Sequence, residues 1–355
     1  MVSEEETSII YGLEFQARSL ATLSSPETEV TKFLVGTQTL KIASNQVHVV
    51  EVNEENGDLK TQAYPHPCGE LWHLHWSPQN ESLISTCYNS LTEEGGTHQK
   101  CGLWHLTDGV NQLKPLATLD TEDEIRTGYF HPSDAEKFVT STDSRFVVWD
   151  LGKGSATETY SKPVSAKGSH KLTNGKWNPQ ESGAAFATLQ ESGIKGWDLR
   201  SNSEAWSLEQ CHTQCVRDID YNRNKQHTLS SCGDDGLIKI WDLRSLGNVL
   251  TLSGHTHWAW CVRYNPLHDE LLLSSGSDAS GRLWWAATVA SEPSEATMKH
   301  SDGPLRQYTA MEDSVYIAEW SGGDTWTFAM LSYDGRLSIN KVPKSIKYEI
   351  LCGRN

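Results

Sequence analysis

The stretch Ser231-Cys232-Gly233-Asp234-Asp235-Gly236-Leu237-Ile238-Lys239-Ile240-Trp241-Asp242 decides the fold. Asp235-Gly236 tolerates the positive φ of a tight primed turn, and so marks a hairpin. After it, Leu237, Lys239 and Trp241 alternate with Ile238 and Ile240, the period of two that defines a strand. Two strands, a tight turn and a closing Trp-Asp fill this one stretch. The unit recurs, so the chain reads as a repeat protein built of strands.

The repeats are indexed by an aromatic that ends the first strand of each unit, often followed by Ser-Pro or Asn-Pro. The series is Phe15, Trp76, Phe130, Trp177, Tyr221, Tyr264 and Trp320. Its intervals of roughly 43 to 61 residues bracket the length of a four-stranded propeller blade. Seven units follow, at about 8–66, 68–120, 122–162, 168–210, 212–252, 254–310 and 312–352. Unit one is expected to place strands at Ile9 to Gln16, Lys32 to Thr37 and Gln46 to Val52. Unit two has a hairpin stretched by a flexible polar tip, Leu91 to Gly96. The Ser-, Glu- and Pro-rich stretch 291–304 reads as a disordered loop. A last strand, Lys347 to Cys352, is assigned as the outer strand of the seventh unit, on the expectation that the start of the chain enters directly on an inner strand.

A chain of 355 residues with 14 Trp and no long amphipathic helical pattern is read as one all-β domain, 1–355. The net charge of −16, with no run of Lys and Arg, argues against nucleic acid and against anionic membrane surfaces. The scattered acidity reads as a solvated surface. No apolar run approaches membrane-spanning length, and the polar opening Met1 to Glu6 argues against a secretory leader. The 8 Cys lack paired spacing and are read as reduced thiols of a cytosolic protein; Cys211 and Cys215 have no second pair to complete a zinc site.

Trp149-Asp150, Trp197-Asp198 and Trp241-Asp242, with Gly254-His255 before the sixth unit, resemble WD40 repeats. The resemblance implies a seven-bladed β-propeller, each blade a four-stranded antiparallel sheet around a central channel. Longer strings are similar to one WD40 family. They are Ile10 to Arg18, Val216 to Asn222, His257 to Trp260, Val262 to Asn265, Asp313 to Tyr316, Leu331 to Arg336 and Lys347-Tyr348, so the likeness runs from about residue 9 to 351. That family is the EARP-interacting proteins. The resemblance implies binding to the EARP and GARP tethering complexes of endosome-to-Golgi retrieval and endosomal recycling. It also implies a cytoplasmic location, peripheral at the trans-Golgi network and endosomes.

His212, Ser231, Asp235 and Trp241 stand at the spacing of the WD40 hydrogen-bonded tetrad, and His255, Ser274, Asp278 and Trp284 repeat it. A Ser/His/Asp set invites a hydrolase reading. Duplication favours a structural network, since a catalytic site is needed once and a structural device recurs with the repeat. His73 and His75 share one strand face, but no further ligand is spaced to complete a metal site, and partly exposed ring nitrogens are expected there. No Gly-rich phosphate cradle follows a strand into a helix.

Four residues before the successive anchors stand Tyr11, Trp72, Arg126, Thr173, Arg217, Trp260 and Tyr316. Equivalent places in a closed ring lie on one circle, here the mouth of the channel. Aromatics and arginines together have the composition of protein-binding hot spots. The mouth is therefore the expected docking rim, with Leu71, Ile125, Val216 and Val315 beside it facing the packing between sheets. Two copies of Trp-Asp-Leu-Arg, ending at Arg200 and Arg244, are similar to the motif by which some propellers dock onto cullin-RING ubiquitin ligases as substrate receptors. The leading reading is a monomeric, non-enzymatic scaffold for protein partners, with no cofactor, metal or small-molecule substrate. The alternative is the ligase receptor.

Overall fold

Alternating buried and half-buried residues along short strands, separated by turns, leave each strand one option: pairing with its sequence neighbour. The computed structural model describes residues 8–23, 30–53, 57–92, 95–107, 109–152, 155–164, 171–180, 183–292 and 300–353. Seven four-stranded sheets result. Six are meanders of consecutive antiparallel strands, spanning 17–65, 70–119, 125–163, 172–208, 216–253 and 259–308. These are blades one to six. The seventh combines strands from 315–341 with the first strand of the chain, Ile9–Gly12.

Seven apolar clusters hold the ring, each shared by two neighbouring blades. Phe33, Val35 and Val50 of blade one pack on Ala329, Leu331 and Leu337 of blade seven, so the circle is closed. The aromatic anchors Trp76, Phe130, Trp177, Tyr221, Tyr264 and Trp320 are all buried at the ends of the inner strands. Each such ring removes apolar surface worth about 1.5–3 kcal/mol.

The closure corrects the expected ends of the chain. Ile9–Gly12 is the outer strand of blade seven, with Ile9 opposite Ile339 and Tyr11 opposite Leu337. The inner strand of blade one is Ala17–Thr22, so the blade does not begin at residue 8. Lys347 to Cys352 is not a strand. It lies in the helix Lys344–Gly353, which follows Pro343 and drives Ile350 and Ile346, four apart, into the core between blades six and seven. The expected polar tip of blade two is a paired ribbon as far as Leu91 and Thr97. Of the stretch 291–304, Ser291 is bonded to Asp269 and Gly303 opens the outer strand of blade six. Residues 293–299 lie outside the described residues.

Candidate functional site

Every inner strand carries a register break at its start, between Ala17 and Ser19, Leu71 and His73, Ile125 and Thr127, Leu172 and Asn174, Val216 and Asp218, Ala259 and Cys261, and Val315 and Ile317. A bulge leaves one residue unpaired and re-aims its side chain. Those residues are Arg18, Trp72, Arg126, Thr173, Arg217, Trp260 and Tyr316, and all seven are half-buried. The residue before each, from Ala17 to Val315, is at most 2% exposed and faces the sheet packing. The bulges thus sort one apolar wall residue from one mouth residue, seven times over.

Tyr11 does not belong to this circle. Its place is taken by Arg18, because Thr22 occupies the anchor position of blade one and Phe15 merely imitates an anchor upstream. Tyr11 instead packs in the core between blades seven and one, with its hydroxyl 3.1 Å from His48 Nδ1.

The mouth is organised around Arg18. Its guanidinium lies 4.9 Å from the Trp72 ring, 5.2 Å from Trp260 and 4.2 Å from Tyr316. The Arg217 guanidinium also meets the Trp260 ring, at 4.7 Å, and the Trp258 ring at 5.5 Å. Trp260 and Tyr316 are themselves 5.0 Å apart, and Trp258 is 39% exposed. Trp72, Trp260 and Tyr316 are therefore faces of one surface rather than interior packing. Cation–π contacts of this kind hold about 0.5–2 kcal/mol each, according to how dry they are.

The two arginines expected at the rim are present but engaged. Arg126 donates to Asp143 at 2.6 Å and to Gln99 at 2.9 Å, and also pairs with Glu124. Arg217 forks onto Asp234 with two bonds of 2.6 Å. Trp260 Nε1 donates to Ser277 from the same register, at 2.6 Å. Thr173 donates to the Val216 carbonyl of the next blade at 3.2 Å.

Below the mouth the channel is crossed by a polar chain from five blades. Tyr129 donates to Asn174, Asn174 to Asp218, and Arg263 to both Asp218 and Glu319. Nearby carboxylates, Asp218 first, outweigh the desolvation of Arg263 and hold its pKa well above the usual value. His73 and His75 line the same wall, edge-on to Tyr129 at 4.6 and 5.1 Å. His75 Nδ1 accepts from the Phe130 N–H, and His73 Nδ1 is buried without a partner among the described residues, while both residues as a whole are half-buried. Burial pushes both rings down to about 3, with neighbouring cations Lys176 and Arg263 adding to the effect. Among the described residues no three His, Cys, Asp or Glu gather to hold a metal.

His212 Nδ1 lies 2.8 Å from Asp235 and its Nε2 2.7 Å from Ser231, while Trp241 Nε1 donates to Ser231 at 2.9 Å. His255, Asp278, Ser274 and Trp284 repeat this geometry. Both serines are fully buried, and each oxygen bonds an imidazole and an indole, an arrangement that braces the hairpin turn against the inner strands. Sequence reasoning missed a third, shorter version: His66 meets Thr86 at 3.1 Å and Trp104 donates to Thr86 at 2.8 Å. The lengthened hairpin of blade two hid its spacing.

Arg200 and Arg244 lie in the turns just past the third strands of blades four and five, Gly193–Asp198 and Leu237–Asp242. The third strand runs parallel to the first, so they sit on the face opposite the mouth. Each folds back on its own Trp-Asp pair: Arg200 donates to Asp198 at 3.3 Å, and Arg244 to Asp242 at 2.7 Å. Bonding to Arg244 draws the Asp242 carboxyl down to about 2.

A closed ring of seven such blades, with Trp-Asp strand ends and His-Ser-Trp braces, is a WD40 β-propeller, with an aromatic and guanidinium mouth as its most distinctive surface. The EIPR1 beta-propeller family model matches residues 5–284. An EARP-interacting protein homolog of Gekko japonicus is 37% identical over 388 residues, covering 98% of this chain and 100% of that protein. The EARP and GARP complex-interacting protein 1 of Homo sapiens is 36% identical over 389 residues, again 98% and 100%. EARP-interacting protein 1 of Caenorhabditis elegans is 30% identical over 360 residues, 97% and 98%. The chain belongs to the EARP-interacting protein family.

Proposed function

We propose that this chain is a non-enzymatic scaffold whose channel mouth docks subunits of the EARP and GARP tethering complexes. In that role it serves endosome-to-Golgi retrieval and endosomal recycling from the cytoplasmic side of the trans-Golgi network and endosomes. The names of its relatives supply the partner, and the cluster of Arg18, Trp72, Arg217, Trp260 and Tyr316 supplies the surface. Aromatic and arginine anchors concentrated at the centre of a patch carry most of the energy of protein interfaces. The duplicated His-Ser-Asp sets support the non-enzymatic reading, because each serine is fully buried and its oxygen also accepts a Trp indole N–H.

Affinity purification with mass spectrometry tests this, comparing the wild type with Trp260→Ala combined with Tyr316→Ala. Enrichment of tether subunits that the double variant loses is expected. Equal enrichment by both proteins places docking elsewhere. The ligase-receptor alternative rests on Arg200 and Arg244, whose side chains are 68% exposed. Capture of a ligase adaptor, lost on Arg200→Ala with Arg244→Ala, is its test.

A further inference from the structure

The mouth holds three arginines, and among the described residues only two have an acid. In blades three and five the residue just past the end of the second strand is Asp143 or Asp234, 17 positions after Arg126 or Arg217, and it neutralises that arginine. In blade one the same place holds Gln38. The equivalence is set by the backbone: Gln38 N–H donates to Gln16 O at 2.6 Å, as Asp234 N–H donates to Cys215 O at 2.9 Å and Ser277 N–H to Trp258 O at 2.9 Å. Each time the acceptor sits two residues before the mouth residue. Gln38 carries no charge, and its Oε1 is buried without a partner among the described residues.

Arg18 therefore faces three π surfaces and, among the described residues, no carboxylate or other acceptor. Ring faces cover the plane of a guanidinium and leave the N–H groups at its edge unused. We propose that the Arg18 cage is a receptor for one acidic side chain, Asp or Glu, on a partner peptide or helix, whose flanking apolar residues lie on Trp258 and Trp260. This rests on the mouth being the docking surface and adds what it selects for. A carboxylate is the fitting ligand because one locally uncompensated guanidinium with unused edge N–H groups matches a single negative charge. Desolvation lowers the Arg18 pKa, the direction expected of a cation still lacking its partner.

The test pans a random-peptide display library against the full chain in three forms: wild type, Arg18→Gln and Gln38→Asp. Gln38→Asp removes nothing from the mouth. It installs the carboxylate that blades three and five already possess, and so should satisfy Arg18 internally. Peptides enriched in Asp or Glu beside apolar residues are expected from the wild type alone. A selected peptide should bind each variant about tenfold or more weakly, with the unfolding midpoint unchanged or raised in Gln38→Asp. Wild-type peptides without acidic residues, or equal binding by Gln38→Asp, overturn the proposal. A dimer that Arg18→Gln dissolves overturns it too, by making a second copy the occupant. Failure of the wild type to capture tether subunits refutes the functional reading without touching this result, since the library names no partner.

Discussion

Replacing Arg263 with Met keeps an unbranched apolar stem and deletes the guanidinium with its charge. Arg263 donates to Asp218, to Glu319 at 2.7 Å and to the Val262 carbonyl at 2.7 Å, with its side chain only 12% exposed. The two carboxylates are 5% and 19% exposed, so the substitution strands negative charge inside the channel. Removing one partner of a buried ion pair costs about 3–5 kcal/mol, against about 1 kcal/mol for an exposed one. The same strands that carry Asp218, Arg263 and Glu319 carry Arg217, Trp260 and Tyr316 at the mouth. Loss of the network should therefore loosen the mouth as well as the fold. Urea unfolding followed by tryptophan fluorescence and circular dichroism measures the cost. Adding Asp218→Asn and Glu319→Gln to Arg263→Met should recover at least half of it. A single variant within 1 kcal/mol of wild type, or a triple variant no better than the single one, refutes the assignment of the channel charges as a brace.

Three further outcomes follow from particular contacts. Burial pushes His73 and His75 down to about 3, and His48 and His66 to about 4. An unfolded histidine binds its proton near 6.5, so the unfolded chain gains protons first; stability should be full above that value and decline as pH falls toward 4, by about 1 kcal/mol per histidine at pH 5.5. Urea midpoints between pH 7.5 and 5 check this, and a flat profile contradicts it. Ser231→Ala strands His212 Nε2 and Trp241 Nε1 and should cost about 2–3 kcal/mol, whereas Ser231→Thr should stay near wild type, because Thr86, Thr140 and Thr188 accept the indole in other blades. Equal midpoints for the Ala and Thr variants count against the brace. Deleting residues up to Gly12 bares the edge of strand Arg336–Lys341, and light scattering should show association that the full chain lacks. A monodisperse truncated chain rules out a sealing role for the first strand.

Most of the architecture was legible because it is written in local periods. Alternation, Asp-Gly turns and buried anchors locate the strands within each blade, and the regular offset from anchor to bulge finds six of the seven mouth residues. Blade one breaks the pattern with Thr22, and the nearby Phe15 led to Tyr11 instead of Arg18. Which terminal segment closes the ring has no local signature. Ile9–Gly12 and the stretch after Lys344 are both apolar and short, and only the four-residue spacing of Ile346 and Ile350 marks the second as a helix. The pairing of Arg126 and Arg217 with acids 17 residues on recurs in the sequence, yet it becomes readable only once the bulge sets the register. Asp218, Arg263 and Glu319 come from three blades, and no spacing along the chain brings them together.

Hydrogen exchange of the full chain with and without the EARP or GARP complex measures directly which face is covered. Protection is expected in peptides holding Arg18, Arg217, Trp258 to Trp260 and Tyr316, with no change around Arg200 and Arg244. Protection confined to the Arg200 and Arg244 face, with the mouth exchanging as before, contradicts the channel mouth as the docking surface.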